Sequence, residues 1–205
     1  MFPKTTIILR GYDYETVDIV CELLIKNNAE DLFALELTTN SPDAFTTLQK
    51  ITDKYGKKIW IGMGTILEYS QAEQAVNSGA RFLLAPVVME QEVIDLCKEH
   101  GVLTVPAAFT PSEVYSMSAK GADIIKLFPV NALSDSYVKD ISGPLGKLPL
   151  MAVGGVNVNN AKEILAKGID YLGIGSGMFS KELLKEKDGA GLEKELINYI
   201  EVVYG

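Results

Sequence analysis

The fold predicted by this sequence is a closed barrel of eight βα units, the (β/α)8 or TIM architecture of the α/β class. Three observations predict it. Eight short apolar runs are spread along 205 residues. Each is near-continuously apolar rather than alternating, as expected of parallel strands covered on both faces. Amphipathic stretches lie between the runs, and several stop at a glycine.

The runs are 6–11, 32–39, 58–65, 81–87, 102–108, 124–130, 149–156 and 171–177. After the first run, residues 14–27 place Val17, Ile19, Val20, Leu23 and Leu24 on one side at close to helical spacing. The stretches 70–79, 91–101, 111–121 and 160–168 also read as helices, and each ends in Gly, the residue best suited to a left-handed cap. Ser70, Thr110 and Asn159 stand where N-caps are expected. The runner-up is a doubly wound open sheet. Eight strands in so short a chain favour closure, and no G-x-G-x-x-G turn follows the first strand. With no linker or low-complexity segment, residues 1–205 read as a single domain.

Nineteen basic residues stand against 27 acidic ones, a net charge of -8. That balance argues against nucleic acid as a partner, since phosphate backbones select basic faces. A small anion is still acceptable at a locally positive site. Cys21 and Cys97 lie in apolar helical patterns and read as buried thiols. The first residues lack the apolar segment and cleavage site of a signal peptide, and no apolar stretch is long enough to span a bilayer. A cytoplasmic protein with no membrane partner is expected. The only histidine, His100, sits at a predicted helix C-terminus, and no Cys/His/carboxylate cluster has metal-ligand spacing. Neither a metal site nor a cofactor is expected.

Barrel enzymes carry their chemistry at the C-terminal ends of the strands. Polar residues inside apolar runs near those ends are few. Lys126 lies in ADIIKLFPV. Burial lowers an ammonium pKa toward neutrality, and a neutral amine attacks a ketone to give an imine. The alternative is a lysine snorkelling from a strand end to solvent. Glu36, in FALELTT, reads as a general acid/base beside it or as an ion-pair partner of Lys126 or Arg10. Gly154 and Gly155 follow the seventh run, and Gly175 and Ser176 close the eighth. Backbone N–H groups of loops there commonly hold phosphate, although glycines also serve plain turns. Arg10 ends the first run and suits a carboxylate, a phosphate or a rim salt bridge. Thr65 reads as a carboxylate donor or an ordinary strand-end residue. Pro86, Pro106 and Pro129 end strands four, five and six.

The stretches LELTTNSP, GMGTI, LLAPV, VPAAFTPSE, IIKLFPV, GGVN and GIGS, in this order, resemble the 2-keto-3-deoxy-6-phosphogluconate aldolase family, which includes 4-hydroxy-2-oxoglutarate aldolases. The resemblance runs from about residue 5 to residue 180. It implies a class I aldolase, commonly trimeric, acting on a small phosphorylated keto acid to give pyruvate and glyceraldehyde 3-phosphate. It implies Lys126 as the Schiff-base lysine and Glu36 as the proton-transfer carboxylate. Thr65 and Pro86 would line the pyruvate half, and Gly154, Gly155, Gly175 and Ser176 the phosphate loop. Two positions depart from the phosphogluconate enzymes. Asn40 stands where they usually carry Arg, and Val153 where they usually carry Thr before the Gly pair. Together with ILRG and NSP, these features resemble the phosphogalactonate branch, whose substrate is the C4 epimer. A threonine hydroxyl can bond a substrate oxygen, whereas valine offers only shape. The competing readings are 4-hydroxy-2-oxoglutarate as substrate, another phosphate-binding barrel such as an epimerase or a thiamine-phosphate-synthase-like protein, and a non-catalytic sugar-phosphate sensor.

Overall fold

The computed structural model describes residues 1–205. Its elements run β1 (Thr5–Leu9), α1 (Tyr14–Lys26), β2 (Phe33–Thr38), α2 (Ala44–Tyr55), β3 (Trp60–Gly64), α3 (Tyr69–Asn77), β4 (Phe82–Leu84), α4 (Gln91–Glu99), β5 (Leu103–Val105) and β6 (Ala107–Ala108). They continue with α5 (Pro111–Ala119), β7 (Ile125–Leu127), α6 (Tyr137–Leu145), β8 (Leu150–Val153), α7 (Ala161–Ala166), β9 (Tyr171–Ile174), α8 (Lys181–Glu186) and α9 (Gly189–Tyr204). The strand order is β5-β4-β3-β2-β1-β9-β8-β7-β6. β1 pairs in parallel with both β2 and β9, so first and last strands are neighbours. The sheet ends at β5 and β6, which are separated in the chain by Pro106 alone. Lys126 N donates to the Pro106 carbonyl at 2.9 Å and Ile124 N to that of Thr104 at 3.1 Å. The stretch 103–108 thus joins both edges, and the sheet closes into the predicted barrel.

The fifth predicted strand is therefore two pieces. Proline has no N–H to offer the ladder, so Pro106 interrupts the strand rather than ending it. The other predicted runs are trimmed at their ends, except that β1 starts one residue earlier than predicted, at Thr5. Arg10 and Gly11 lie beyond β1, and Thr65 lies beyond β3. Pro86 and Pro129 follow β4 and β7, as expected. Two predicted N-caps are corrected. Glu68, not Ser70, caps α3, in a capping box closed by Gln71. Asn160, not Asn159, precedes α7. Thr110 caps α5 as predicted: Glu113 N donates to its Oγ1 at 3.3 Å, and its own N donates to the Glu113 carboxylate at 2.8 Å. Gly79, Gly101, Gly121 and Gly168 all sit just past helix ends with φ between +66° and +93°, a conformation that penalises any Cβ. α2, α6, α8 and α9 are additions to the sequence reading. α6 is obscured in the sequence by Gly143 and Pro144 near its end.

Fifty buried residues form the apolar layer between barrel and helices, and Cys21 and Cys97 lie among them as free thiols. Inside the barrel, eight buried residues form a separate cluster: Phe2, Ala34, Phe82, Leu84, Val105, Ile124, Met151 and Val153. Side chains alternate between the faces of a strand, so this cluster identifies the inward positions. Glu36 follows Ala34 by two residues, and Lys126 follows Ile124 by two. Both side chains therefore point into the barrel. At the N-terminal end of the barrel, Phe2 forms edge contacts with Trp60, Phe82 and Tyr171 at ring-centroid distances of 5.4, 5.1 and 5.7 Å. The Arg81 guanidinium stacks 3.7 Å from the Trp60 ring centre. This plug closes the barrel floor. Phe2→Ala is expected to cost about 3 kcal/mol or more of stability in urea unfolding. Its substrate KM should be unchanged, because the plug lies at the end of the barrel opposite the mouth.

Candidate active site

Glu36 and Lys126 are 2% and 6% exposed, the only two charged side chains among the buried residues. β2 and β7 bring them into the same interior. No Lys or Arg pairs with Glu36 at contact distance, and its Oε2 is buried with no hydrogen-bond partner. The Lys126 Nζ sits 5.1 Å from the centre of the Phe128 ring.

Desolvation dominates both groups. Burial pushes the Glu36 carboxyl up to about 7, against the pull of the Lys126 and Arg10 cations. Burial pushes the Lys126 ammonium down; Glu36 opposes this and Arg10 adds to it. Each group is driven toward its uncharged form, as burial of a lone ion dictates, and their proton exchange is that of a coupled pair.

Arg10 stands above them at the mouth. Its Nη1 donates to Thr65 Oγ1 at 3.1 Å and reaches Asn40 Oδ1 at 3.5 Å. Thr65 has φ +61°, a left-handed conformation uncommon for a β-branched residue. Its carbonyl is held by the Thr39 hydroxyl at 2.8 Å. Met63 pairs with Leu83, and Ile66 N bonds the Leu84 carbonyl at 3.1 Å, so Thr65 and Pro86 lie within one residue's height of each other on adjacent strand ends.

Beside this half of the mouth, above β1, β8 and β9, lies a cavity of about 510 Å³. Arg10, Val153, Gly154, Gly155, Gly175 and Ser176 all line it. Gly154 and Gly155 have φ +108° and +74°. The carbonyl of Gly155 is tied down by the side-chain amides of Asn157 and Asn160 at 3.2 and 2.9 Å. Val153 belongs both to the barrel interior and to the cavity wall. A Cβ on its cross-strand partner Gly173 would lie 2.7 Å from Val153 Cγ2, so the valine fills the room that this glycine leaves. Lys126, Glu36, Thr65 and Pro86 do not line the cavity; they belong to the adjoining half of the mouth, formed by β2, β3, β4 and β7. His100 is remote from both halves, at the C-cap of α4 with its Nδ1 2.9 Å from the Leu96 carbonyl.

Lys181 also lines the cavity and was not singled out by its sequence context, since a lysine opening an exposed helix looks like an ordinary solvated one. Tyr12 and Asn157 are on the same wall. The cavity thus has two cations, Arg10 and Lys181, facing glycine-rich backbone and the Ser176 hydroxyl, a donor set suited to an anion.

Fold and site together define a βα-barrel aldolase. A family model described as KDPG and KHG aldolase matches residues 7–194. The probable 2-dehydro-3-deoxy-6-phosphogalactonate aldolase of Rhizobium meliloti is 35% identical over 84% of this chain and 80% of its own length. The 2-dehydro-3-deoxy-6-phosphogalactonate aldolase of Escherichia coli is 30% identical over 71% of each chain. A solved structure described as native KDPGal superposes with a TM-score of 0.83 at 27% identity, covering 98% of this chain and 96% of the other. The chain belongs to the KDPG and KHG aldolase family, which sets aside the epimerase and thiamine-phosphate-synthase readings.

The raised Glu36 pKa has a consequence for stability. An unfolded Glu36 ionises near 4.5, whereas the folded one keeps its proton to about 7. In that window the folded state binds more protons, so stability falls as pH rises through it. Glu36→Gln removes the effect. Relative to the wild type, this variant is expected to gain up to about 3 kcal/mol between pH 4.5 and pH 8. Urea unfolding across that range checks this, and a constant difference between the two proteins would refute it.

Proposed function

We propose that this protein is a class I aldolase that cleaves a 2-keto-3-deoxy-6-phospho sugar acid to pyruvate and glyceraldehyde 3-phosphate. The observation that carries the proposal is the interior pair of Lys126 and Glu36, each driven toward its neutral form by burial. Neutral Lys126 adds to the C2 ketone, and the carbinolamine loses water to leave a protonated imine. Glu36 moves the protons in that step and then takes the C4 hydroxyl proton, directly or through a water. The C3–C4 electron pair flows into the imine, the aldehyde departs, and an enamine remains. Protonation at C3 and hydrolysis release pyruvate and return Lys126 to its free form.

Arg10 and Thr65 hold the keto-acid carboxylate, with Pro86 lining the same half. Gly154, Gly155, Gly175 and Ser176 hold the phosphate, assisted by Lys181. The cavity volume and the Lys181 cation left free for a second anion favour this phosphorylated substrate over 4-hydroxy-2-oxoglutarate. Val153 stands between the two halves, within reach of the middle of the substrate, and offers no hydroxyl to a substrate oxygen. This and the relatives' names favour the phosphogalactonate series.

The chain acts as one domain in a homotrimer. Leu67, Tyr69, Val87, Val88, Phe109 and Tyr115 are exposed apolar side chains on three consecutive βα units, the kind of surface a second copy covers. No helix is long and apolar enough to cross a membrane. The two free thiols suit the cytoplasm, where the reaction would serve carbohydrate breakdown.

Borohydride with pyruvate should add a reduced pyruvyl group at Lys126, detected by mass spectrometry of the digest. Lys126→Ala should lose both trapping and cleavage; cleavage that survives would reject the lysine. Glu36→Gln should lower kcat by about 10²-fold or more. A coupled assay of pyruvate release with both C4 epimers tests the substrate. The galactonate series should be preferred, and Val153→Thr should shift the ratio of kcat/KM values by about tenfold toward the gluconate series. An unshifted ratio would remove Val153 from discrimination.

A further inference from the structure

Gly64 lies in the same mouth as the reacting pair, and its surroundings are unusual. Glu36 is paired across the ladder with Gly62, whereas Gly64 is the neighbour of Thr38, one step nearer the mouth on the inward face. A Cβ built on Gly64 would nevertheless fall 1.6 Å from Glu36 Oε1, 2.4 Å from its Cδ and 2.9 Å from its Cγ. The three nearest atoms all belong to this one side chain. The carboxyl of Glu36 therefore does not lie over its own partner Gly62. It leans along the barrel axis toward the mouth and fills the space where residue 64 would carry a side chain.

Backbone conformation does not explain a glycine here. Gly64 is not among the residues with positive φ, unlike the next residue, Thr65. It ends β3 in regular parallel pairing, where a glycine weakens a strand rather than strengthening it. Gly62 differs from it, because its Cβ would strike the backbone oxygen of Phe82 at 2.3 Å and so meets a fixed wall. At Gly64 the obstacle is the functional carboxylate itself.

We infer that Gly64 is a positioning residue, the seat that lets the Glu36 carboxyl reach up to the mouth of the barrel. A methyl group there displaces the carboxyl from the place at which it exchanges protons with bound substrate, and leaves Lys126 on the far strand β7 untouched. The inference rests on the role given to Glu36 above.

The test is a double-mutant cycle of wild type, Gly64→Ala, Glu36→Ala and the double variant. It is read by kcat for pyruvate release, by borohydride trapping of pyruvate on Lys126 and by thermal unfolding. Gly64→Ala should lower kcat about 10²-fold or more while prolonged incubation still traps Lys126. In the Glu36→Ala background the same substitution should cost nothing further, because the carboxyl through which it acts is gone. The double variant should also melt no lower than Glu36→Ala alone, since the added methyl occupies the vacated space. If Gly64→Ala does not fold, recovery of the fold in the double variant carries the inference, and failure of both variants to fold overturns it. A wild-type kcat in Gly64→Ala, or losses that multiply in the double variant, also overturn it. Undiminished turnover in Glu36→Ala would instead overturn the role of Glu36, so the two failures are distinct.

Discussion

Everything at this site depends on keeping water away from one amine and one carboxyl in a shared interior. In water an isolated lysine is protonated and a glutamate ionised at neutral pH, and neither is then a nucleophile or a proton donor of the right strength. Inside the barrel the charged forms lose hydration, and their mutual attraction does not fully replace it. Arg10 is the third charge in the balance. It favours loss of the proton from both groups, so it assists the nucleophilic form of Lys126 while it restrains the rise of Glu36. A substrate carboxylate bound to Arg10 would therefore be recognised by the same charge that tunes the pair.

Part of this was readable in the sequence because burial leaves a trace in neighbouring residues. Lys126 in IIKLF and Glu36 in ALELT are polar residues in strands that are otherwise apolar, and the structure buries both. The glycine stops were legible for the same local reason, since each of Gly79, Gly101, Gly121 and Gly168 adopts a conformation that side chains avoid. Features that depend on a distant partner were not legible. Pro106 looks like the end of a strand until β7 supplies a donor to its carbonyl. Lys181 looks solvated until the chain after β9 brings it to the cavity. Thr65 gives no sign of its positive φ, because that conformation is held by Thr39 and Arg10 from two other strand ends. The caps at Glu68 and Asn160 were displaced by one or two residues because several polar side chains compete at each start.

Under the proposed function the two halves of the mouth would divide the work of binding. One half would hold the reacting end, between Arg10, Thr65 and the buried pair. The other is the glycine-rich cavity with its cations. A substrate long enough to reach both would pass its middle carbons over Val153, which lines the cavity and belongs to the barrel interior. Energy gained at the far anion would then fix the bond to be broken above Lys126, and remote contact of this sort raises rate rather than affinity alone. A shorter acid without the anion would forgo that alignment.

The barrel interior is graded along its axis, and the gradient explains how stability and chemistry coexist in a small chain. The floor is filled by Phe2 packed edge to face against Trp60, Phe82 and Tyr171. Toward the mouth three inward positions are glycines: Gly62 and Gly64 on β3, and Gly173 on β9. Glycine gives up packing and conformational stability, so its use there is a cost that the aromatic floor must offset. Each of the last two is occupied from across the sheet by a side chain of the site, Gly64 by Glu36 and Gly173 by Val153. The upper barrel is thus built by subtraction. Side chains are omitted where the strand would ordinarily supply them, and the vacated volume is taken by the side chains of Glu36 and Val153.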